Sequence, residues 1–306
     1  MTGDGKTYRD PEIGGVRALL ASMPAAAEEG STDWTARRAG MDAFGGTAPL
    51  PEGLGVEALD IAGLPAERLT PAGADDARAL LYLHGGGYCV GSPTSHRGLA
   101  GRLAAAIGCV ALVPDYRLAP EHRFPAAVDD AVKAYRHLLG EGIEPGRIVI
   151  AGDSAGGGLT IAAAIAIRDS GLPQPGCLFA ISPWANLGQS GAAYAAVLDD
   201  PMLTRQGLQD FADAYLQGEG PDHPLASPAL GDLQGLPPML LQAGGAEILA
   251  SDTTLLAERA GLAGVEVRAE IWPEMIHVWH AFAPWLGAGR RAIDEAAVWV
   301  KGKLAA

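Results

Sequence analysis

The sequence predicts an α/β protein whose mostly parallel sheet is covered on both faces by helices. Three observations carry that reading. Short apolar runs at 79–83, 109–113, 177–181 and 239–243 are spaced like buried strands, and 265–271 reads as a further strand. Between them lie segments of helical spacing, such as 95–107 with Leu99, Leu103 and Ile107 on one face, and 126–139 with Val128, Val132, Tyr135 and Leu139. Parallel neighbours need a crossover, and a helix is the usual one. The third observation is the stretch from Ile148 to Gly158, Ile-Val-Ile-Ala-Gly-Asp-Ser-Ala-Gly-Gly-Gly, which opens into Leu159-Thr160-Ile161-Ala162. It reads as strand, sharp turn, helix.

Taken in order, residues 1–45 form helical pieces at 11–23 and 33–44, ended by Gly45-Gly46-Thr47-Ala48-Pro49. Segments 56–61 and 66–70 look like an antiparallel pair. The strand at 79–83 runs into His84-Gly85-Gly86-Gly87-Tyr88. After the strand at 177–181, Ser182-Pro183-Trp184 breaks the rhythm. Helices at 192–198 and 204–216 follow, among Pro201, Pro221, Pro224 and Pro228. The rhythm resumes with a strand at 239–243, a helix at 251–263, the strand at 265–271 and a last helix at 289–303. The expected division is therefore N-terminal helices over 1–45, a core over 46–184, an insertion over 185–225 and the rest of the core over 226–306. The helices of 1–45 and the insertion together could form a lid above the strand ends.

Composition narrows the function. The chain of 306 residues has 22 basic and 36 acidic side chains, a net charge of −14, which argues against nucleic acid or an anionic membrane as partner. Cys89, Cys109 and Cys177 are odd in number and sit in apolar stretches, so buried free thiols are expected. No Cys/His cluster has zinc spacing, and no metal site is expected. The first residues, Met1-Thr2-Gly3-Asp4-Gly5-Lys6, lack the basic-then-apolar pattern of a signal peptide. No apolar run approaches the roughly 18 residues that span a bilayer. The expectation is a soluble, cytoplasmic protein; a homodimer is compatible with the sequence.

The chemistry follows from the turn. Gly152 and Gly156 flank Ser154 where strand and helix ends pass too closely for a Cβ, which lifts the serine to the top of the sheet as a nucleophile. The N–H of Ala155 points into the same space. Three glycines after a buried strand expose further backbone N–H groups, suited to a developing oxyanion. His84 is expected to be structural. A serine nucleophile needs an imidazole base and a carboxylate to orient it, in the chain order Ser, Asp or Glu, His. Only His223, His277 and His280 follow Ser154. His223 lies in the insertion and His277 in a loop after a strand, so His277 is the expected base and His280 a packing residue. Glu247 directly follows the strand at 239–243 and is the expected acid. Asp252 stays open as the alternative acid or as a helix cap.

With these stretches in hand, the chain resembles the hormone-sensitive-lipase-like branch of the α/β-hydrolase fold, also called bacterial lipase family four. The resemblance rests on His84-Gly85-Gly86-Gly87, on Gly152-Asp153-Ser154-Ala155-Gly156-Gly157, on Asp115-Tyr116-Arg117-Leu118-Ala119-Pro120-Glu121, on Ser182-Pro183-Trp184 and on Pro228. It implies oxyanion donors at Gly85, Gly86 and Ala155, nucleophile Ser154, base His277, and a cap built from the N-terminal helices and the insertion. The activity implied is that of a serine carboxylesterase acting on small short- to medium-chain acyl esters, with no metal or organic cofactor. Lactones and amides are alternative substrates of the same triad. A non-catalytic receptor of this fold is the reading from another class, disfavoured by the His277 loop. One departure is that Glu247-Ile248-Leu249 stands where many members have Asp-Pro-Leu. The charges of the 115–121 segment are expected to pair with each other. Tyr88, Trp34, Met202 and Phe211 are candidates to line the substrate pocket.

Overall fold

The computed structural model describes residues 8–22, 32–197 and 199–304. Residues 1–6, read for a signal peptide, and residues 23 and 198, expected to end two helices, lie outside these. The strands are β1 (Gly55–Asp60), β2 (Pro65–Thr70), β3 (Asp75–Leu83), β4 (Cys109–Pro114), β5 (Ile148–Asp153), β6 (Cys177–Ile181), β7 (Met239–Gly244) and β8 (Val267–Trp272). The helices are α1 (Pro11–Ser22), α2 (Trp34–Gly45), α3 (Pro93–Ile107), α4 (Ala126–Gly140), α5 (Ala155–Asp169), α6 (Ala193–Ala196), α7 (Arg205–Leu216), α8 (Ala250–Leu262) and α9 (Gly287–Lys303).

All eight strands form one sheet in the order β1-β2-β4-β3-β5-β6-β7-β8. β1 pairs antiparallel with β2, and β2 with β4, while every other pairing is parallel. The two-residue period of a strand sends alternate side chains to opposite faces. Ala79, Leu81 and Leu83 of β3 join Ile148 and Ile150 of β5 on the face packed by α4, α5 and α8. Leu80 and Tyr82 join Val149 and Ala151 on the other face, against Leu99, Leu103 and Ile107 of α3 and Ile293 and Val300 of α9. A strand buried on both faces is apolar throughout, as the sequence of the central strands required. Cys89, Cys109 and Cys177 are buried free thiols.

The regions outside the strand–helix repeat pack above the carboxyl ends of the strands. Ile13 and Val16 of α1 share a small core with Met275, Ile276, Trp279 and Phe282. The insertion is less helical than expected: α6 spans four residues of the 192–198 segment, although α7 matches its predicted range. Trp34 of α2 meets Phe211 of α7 with ring centroids 5.7 Å apart, so the two peripheral segments touch each other. No helix among the described residues is long and apolar enough to cross a membrane.

Arg38 fastens α2 to the core. Its Nε donates to Cys89 O (2.8 Å), and its terminal nitrogens donate to Ala119 O (2.9 Å) and to both carboxylate oxygens of Glu121 (2.9 and 2.6 Å). Glu121 therefore pairs with α2 and not within its own segment, and Arg117 pairs with Asp130 of α4 (2.9 Å). The expectation that the 115–121 charges satisfy one another is thus corrected: Arg117 and Glu121 reach outward and tie the segment to α4 and α2. Replacing Arg38 by Met strands two carbonyls and a carboxylate. The expected cost is about 2 kcal/mol, a fall in Tm of about 4 °C by calorimetry.

Candidate active site

At the end of β5 the backbone turns abruptly into α5. Ser154 sits at the turn with φ 56° and ψ −124°, a conformation unusual for a residue with a side chain. Its N–H donates to Ile181 O (2.8 Å), and its carbonyl accepts from Trp184 N (2.8 Å) and Gly158 N (3.1 Å). A Cβ on Gly152 would strike the carbonyls of Gly156 and Leu83, and one on Gly156 those of Leu83 and His84. From 148 to 160 every residue is buried except Ser154. The hydroxyl is the one group that this stretch offers outward.

The glycine loop after β3 is held from behind. His84 Nδ1 lies 2.8 Å from Gly85 O, the ring stacks on Tyr116 at 4.1 Å, and Tyr116 Oη donates to His84 O (2.7 Å). Burial pushes the His84 imidazole down to about 3, so it stays neutral, in keeping with a structural role. Asp153, the variable residue of Gly-x-Ser-x-Gly, lies beneath this loop. Its Oδ1 accepts from Tyr82 Oη (2.6 Å) and Gly85 N (3.1 Å), while His96 Nε2 stands 3.5 Å from Oδ2. Burial alone would raise the Asp153 pKa, but the charge and donors of His96 and Tyr82 bring it below the ordinary aspartate value.

This arrangement corrects one sequence-based expectation. The N–H of Gly85, expected to face an oxyanion, is spent on a buried carboxylate. The N–H groups of Gly86 and Gly87 make no hydrogen bond among the described residues, and both glycines have positive φ (116° and 60°). From 79 to 90 only Gly86 is not buried. Ala155 is the first residue of α5, where a helix N–H has no carbonyl four residues back.

The candidate acid and the candidate base arrive from neighbouring loops. Glu247 follows β7 and is wholly buried; His277 follows β8 and is 3% exposed. His277 Nδ1 and Glu247 Oε2 are 3.5 Å apart. Burial alone would lower the His277 pKa, but the close contact and charge of Glu247 outweigh it and raise the group above the usual imidazole value. No hydrogen bond joins Ser154 to His277 among the described residues; such contacts are commonly loose before substrate binds.

Asp252 is neither of the things the sequence left open for it. Its Oδ2 accepts from Ala185 N and Asn186 N (both 2.9 Å) and its Oδ1 from Tyr194 Oη (3.0 Å). Both oxygens are thus committed to the insertion, and the Asp252 side chain makes no hydrogen bond to its own helix. His280 is buried against Trp279 at 4.0 Å with Nε2 2.7 Å from Gln242 Oε1, a packing residue as expected, and burial pushes it down to about 3. His223 stays in the insertion, its Nδ1 accepting from Leu225 N (3.1 Å).

Of the candidate pocket residues, Phe211 lies directly over Gly87, where a Cβ would come within 2.5 Å of the ring, and Trp34 backs Phe211. Arg37 stacks over both rings at 4.5 and 4.3 Å. Tyr88 is fully buried and stacked on Tyr215 at 3.9 Å, so it forms a wall rather than an open lining. Met202 is exposed, in the loop before α7. Among the described residues, no group of three or more His, Cys, Asp or Glu side chains is placed to hold a metal ion. Sequence reasoning missed two contacts, that of Asp153 beneath the glycine loop and that of Ser182 between Glu247 and Val278.

A family model described as alpha/beta hydrolase fold matches residues 80–281, and the chain belongs to that family. An acetyl-hydrolase of Streptomyces hygroscopicus is 48% identical over 262 residues, covering 85% of this chain and 86% of the relative. An esterase of Acinetobacter venetianus is 32% identical over 244 residues, 79% and 80% of the two chains. Among solved structures, EstE5 soaked with p-nitrophenyl butyrate superposes with a TM-score of 0.92 at 40% identity, covering 97% of this chain and 99% of its own. An esterase from the bacterial hormone-sensitive lipase family gives 0.92 at 40% identity, over 98% and 100%. Within its family the protein is a carboxylic ester hydrolase of the hormone-sensitive-lipase-like branch.

The two carboxylates separate by experiment. Glu247→Gln is expected to lower kcat by about a thousandfold or more, as losing the orienting acid of a triad does, with little change in Tm. Asp252→Asn places an amide against backbone N–H groups. It is expected to cost about 1–3 kcal/mol of stability in thermal unfolding while leaving the pH profile of kcat/KM in place.

Proposed function

We propose that this protein hydrolyses short-chain acyl esters through an acyl-enzyme on Ser154. The observation that carries the proposal is the single open hydroxyl of the β5–α5 turn, held opposite the unpaired N–H groups of the glycine loop. The buried Glu247–His277 pair stands on the neighbouring strand ends. Ser154 Oγ attacks the ester carbonyl as His277 takes its proton and Glu247 steadies the imidazolium. The carbonyl oxygen, now negative, turns toward the N–H groups of Gly86, Gly87 and Ala155, which replace the Gly85, Gly86 and Ala155 set. His277 then gives its proton to the departing alcohol. Water, activated by the same imidazole, frees the acid and restores the hydroxyl.

The electrostatics favour this division of labour. Backbone N–H groups need no reorganisation when charge develops, and losing one such donor costs about 100- to 1000-fold in rate. Asp153 fixes the glycine loop through Gly85 and leaves the next N–H groups for the substrate. Chain-length preference falls to the Phe211–Trp34 pair over Gly87 and to the Tyr88–Tyr215 stack, which wall the glycine loop with aromatic rings. The names of an acetyl-hydrolase relative and a butyrate-soaked structure support the same range. The cap role of α1, α2 and the insertion belongs to this reading: these segments screen the carboxyl ends of the strands from water.

Ser154→Ala is expected to abolish turnover of p-nitrophenyl butyrate while circular dichroism and Tm stay at parental values; full activity would refute the assignment. The acting form of His277 is the neutral imidazole. Because its pKa is raised, kcat/KM is expected to climb with pH through an apparent value above the ordinary imidazole pKa of about 6.5. In Glu247→Gln the residual rate should climb at lower pH, since the charge that raises the imidazole is gone. A pH–rate profile of the two proteins checks the sign.

A further inference from the structure

Ser182 ends β6 at a sharp turn, with φ 46° and no exposed surface. Its N–H donates to Gln242 O on β7 (2.6 Å), which fixes the residue against the strand that carries the acid. Its hydroxyl does two further things. It donates to Glu247 Oε2 (2.7 Å) and accepts from Val278 N (3.1 Å), the residue directly after His277. One oxygen thus touches the carboxylate of the acid loop and the backbone of the base loop, across separations of 65 and 96 residues in sequence.

We propose that Ser182 is a positioning residue for the Glu247–His277 pair, its hydroxyl holding the carboxylate at the imidazole. The proposal rests on the acyl-enzyme reading above. A glutamate has one more torsion than an aspartate, so its carboxylate needs an anchor to stay on Nδ1. Glu247 Oε1 has no hydrogen-bond partner among the described residues, which leaves Oε2 to set the orientation. The 3.5 Å contact with His277 is too long to do so alone, whereas the 2.7 Å bond from Ser182 is short and direct. The bond from Val278 N aims the hydroxyl, because an oxygen that accepts from one side is left with its proton for the other. Without the hydroxyl, a buried carboxylate loses its best donor and its reason to face the base.

The charged groups acting on His277 are Glu247 from the loop after β7, Asp200 from the insertion and Asp153 from β5. Ser182 touches only the first of these, which makes the pH profile diagnostic. The experiment compares Ser182→Gly and Ser182→Ala with the parent, each checked for parental circular dichroism. Glycine accepts the positive φ without strain, and alanine repeats the loss of the hydroxyl should glycine loosen the turn. The readouts are kcat, KM, the acid limb of kcat/KM, and the rate at which a fluorophosphonate probe labels Ser154, located by peptide mass spectrometry. Loss of the hydroxyl is expected to lower kcat about 10- to 100-fold, the range for a misaligned catalytic group, with KM held within about twofold. The acid limb moves to lower pH as Glu247 loosens its hold, and labelling of Ser154 slows in parallel. A folded Ser182→Gly or Ser182→Ala enzyme with parental kcat, acid limb and labelling rate would overturn the proposal. If the parent is not labelled on Ser154, the acyl-enzyme reading fails first and the proposal falls with it.

Discussion

The site depends on one steric constraint: three backbone segments occupy the space where side chains would ordinarily stand. The end of β3, the end of β5 and the first turn of α5 approach so closely that a methyl group at Gly152 or Gly156 would meet a carbonyl. That approach forces Ser154 into its positive-φ turn and carries its hydroxyl clear of the buried strand. It also brings Asp153 under the glycine loop, so that a single turn sets the proposed nucleophile and anchors that loop. The strain of the turn, of order 1–3 kcal/mol for such a conformation, is offset by hydrogen bonds from Trp184 N and Gly158 N and by the packing of α5 between α4 and the sheet.

Charge is the second constraint. Asp153, Glu247 and Asp252 are all nearly or wholly buried, where an unpaired carboxylate would cost several kcal/mol. Each is met differently, and the difference sorts their roles. Asp252 has backbone and phenol donors on both oxygens and locks the insertion to α8. Asp153 is shared by a phenol, a backbone N–H and His96, and locks the glycine loop. Glu247 alone keeps one oxygen without a donor and turns the other toward a histidine. A carboxylate that holds structure is saturated; one suited to receive a developing positive charge is left partly open.

Much of this was legible in the sequence because its signals are local. A β-branched run into Gly-x-Ser-x-Gly predicts strand, turn and helix within a dozen residues, and the structure has β5, Ser154 and α5 there. Glu247 and His277 could be singled out because each follows a strand, and the structure brings their side chains within 3.5 Å of each other; position relative to a strand end survives without knowledge of the fold. What escaped depends on side chains from separate loops meeting. Nothing near Gly85 announces that its N–H is taken by a residue 68 positions later. Ser182 looked like a strand terminator, and its two partners are known only once β6, β7 and β8 lie side by side. The 115–121 segment was misread for the same reason: its charges have near neighbours in sequence but find their partners on α2 and α4.

The central claim is that an acyl group passes through the hydroxyl at the β5–α5 turn. The most direct measurement is rapid quenching of the enzyme during turnover of p-nitrophenyl butyrate, followed by digestion and mass spectrometry of the peptides. The account predicts a butyryl adduct on Ser154 that forms and decays on the timescale of turnover. Hydrolysis at full rate with Ser154 never acylated, or acylated only at another residue, would contradict it.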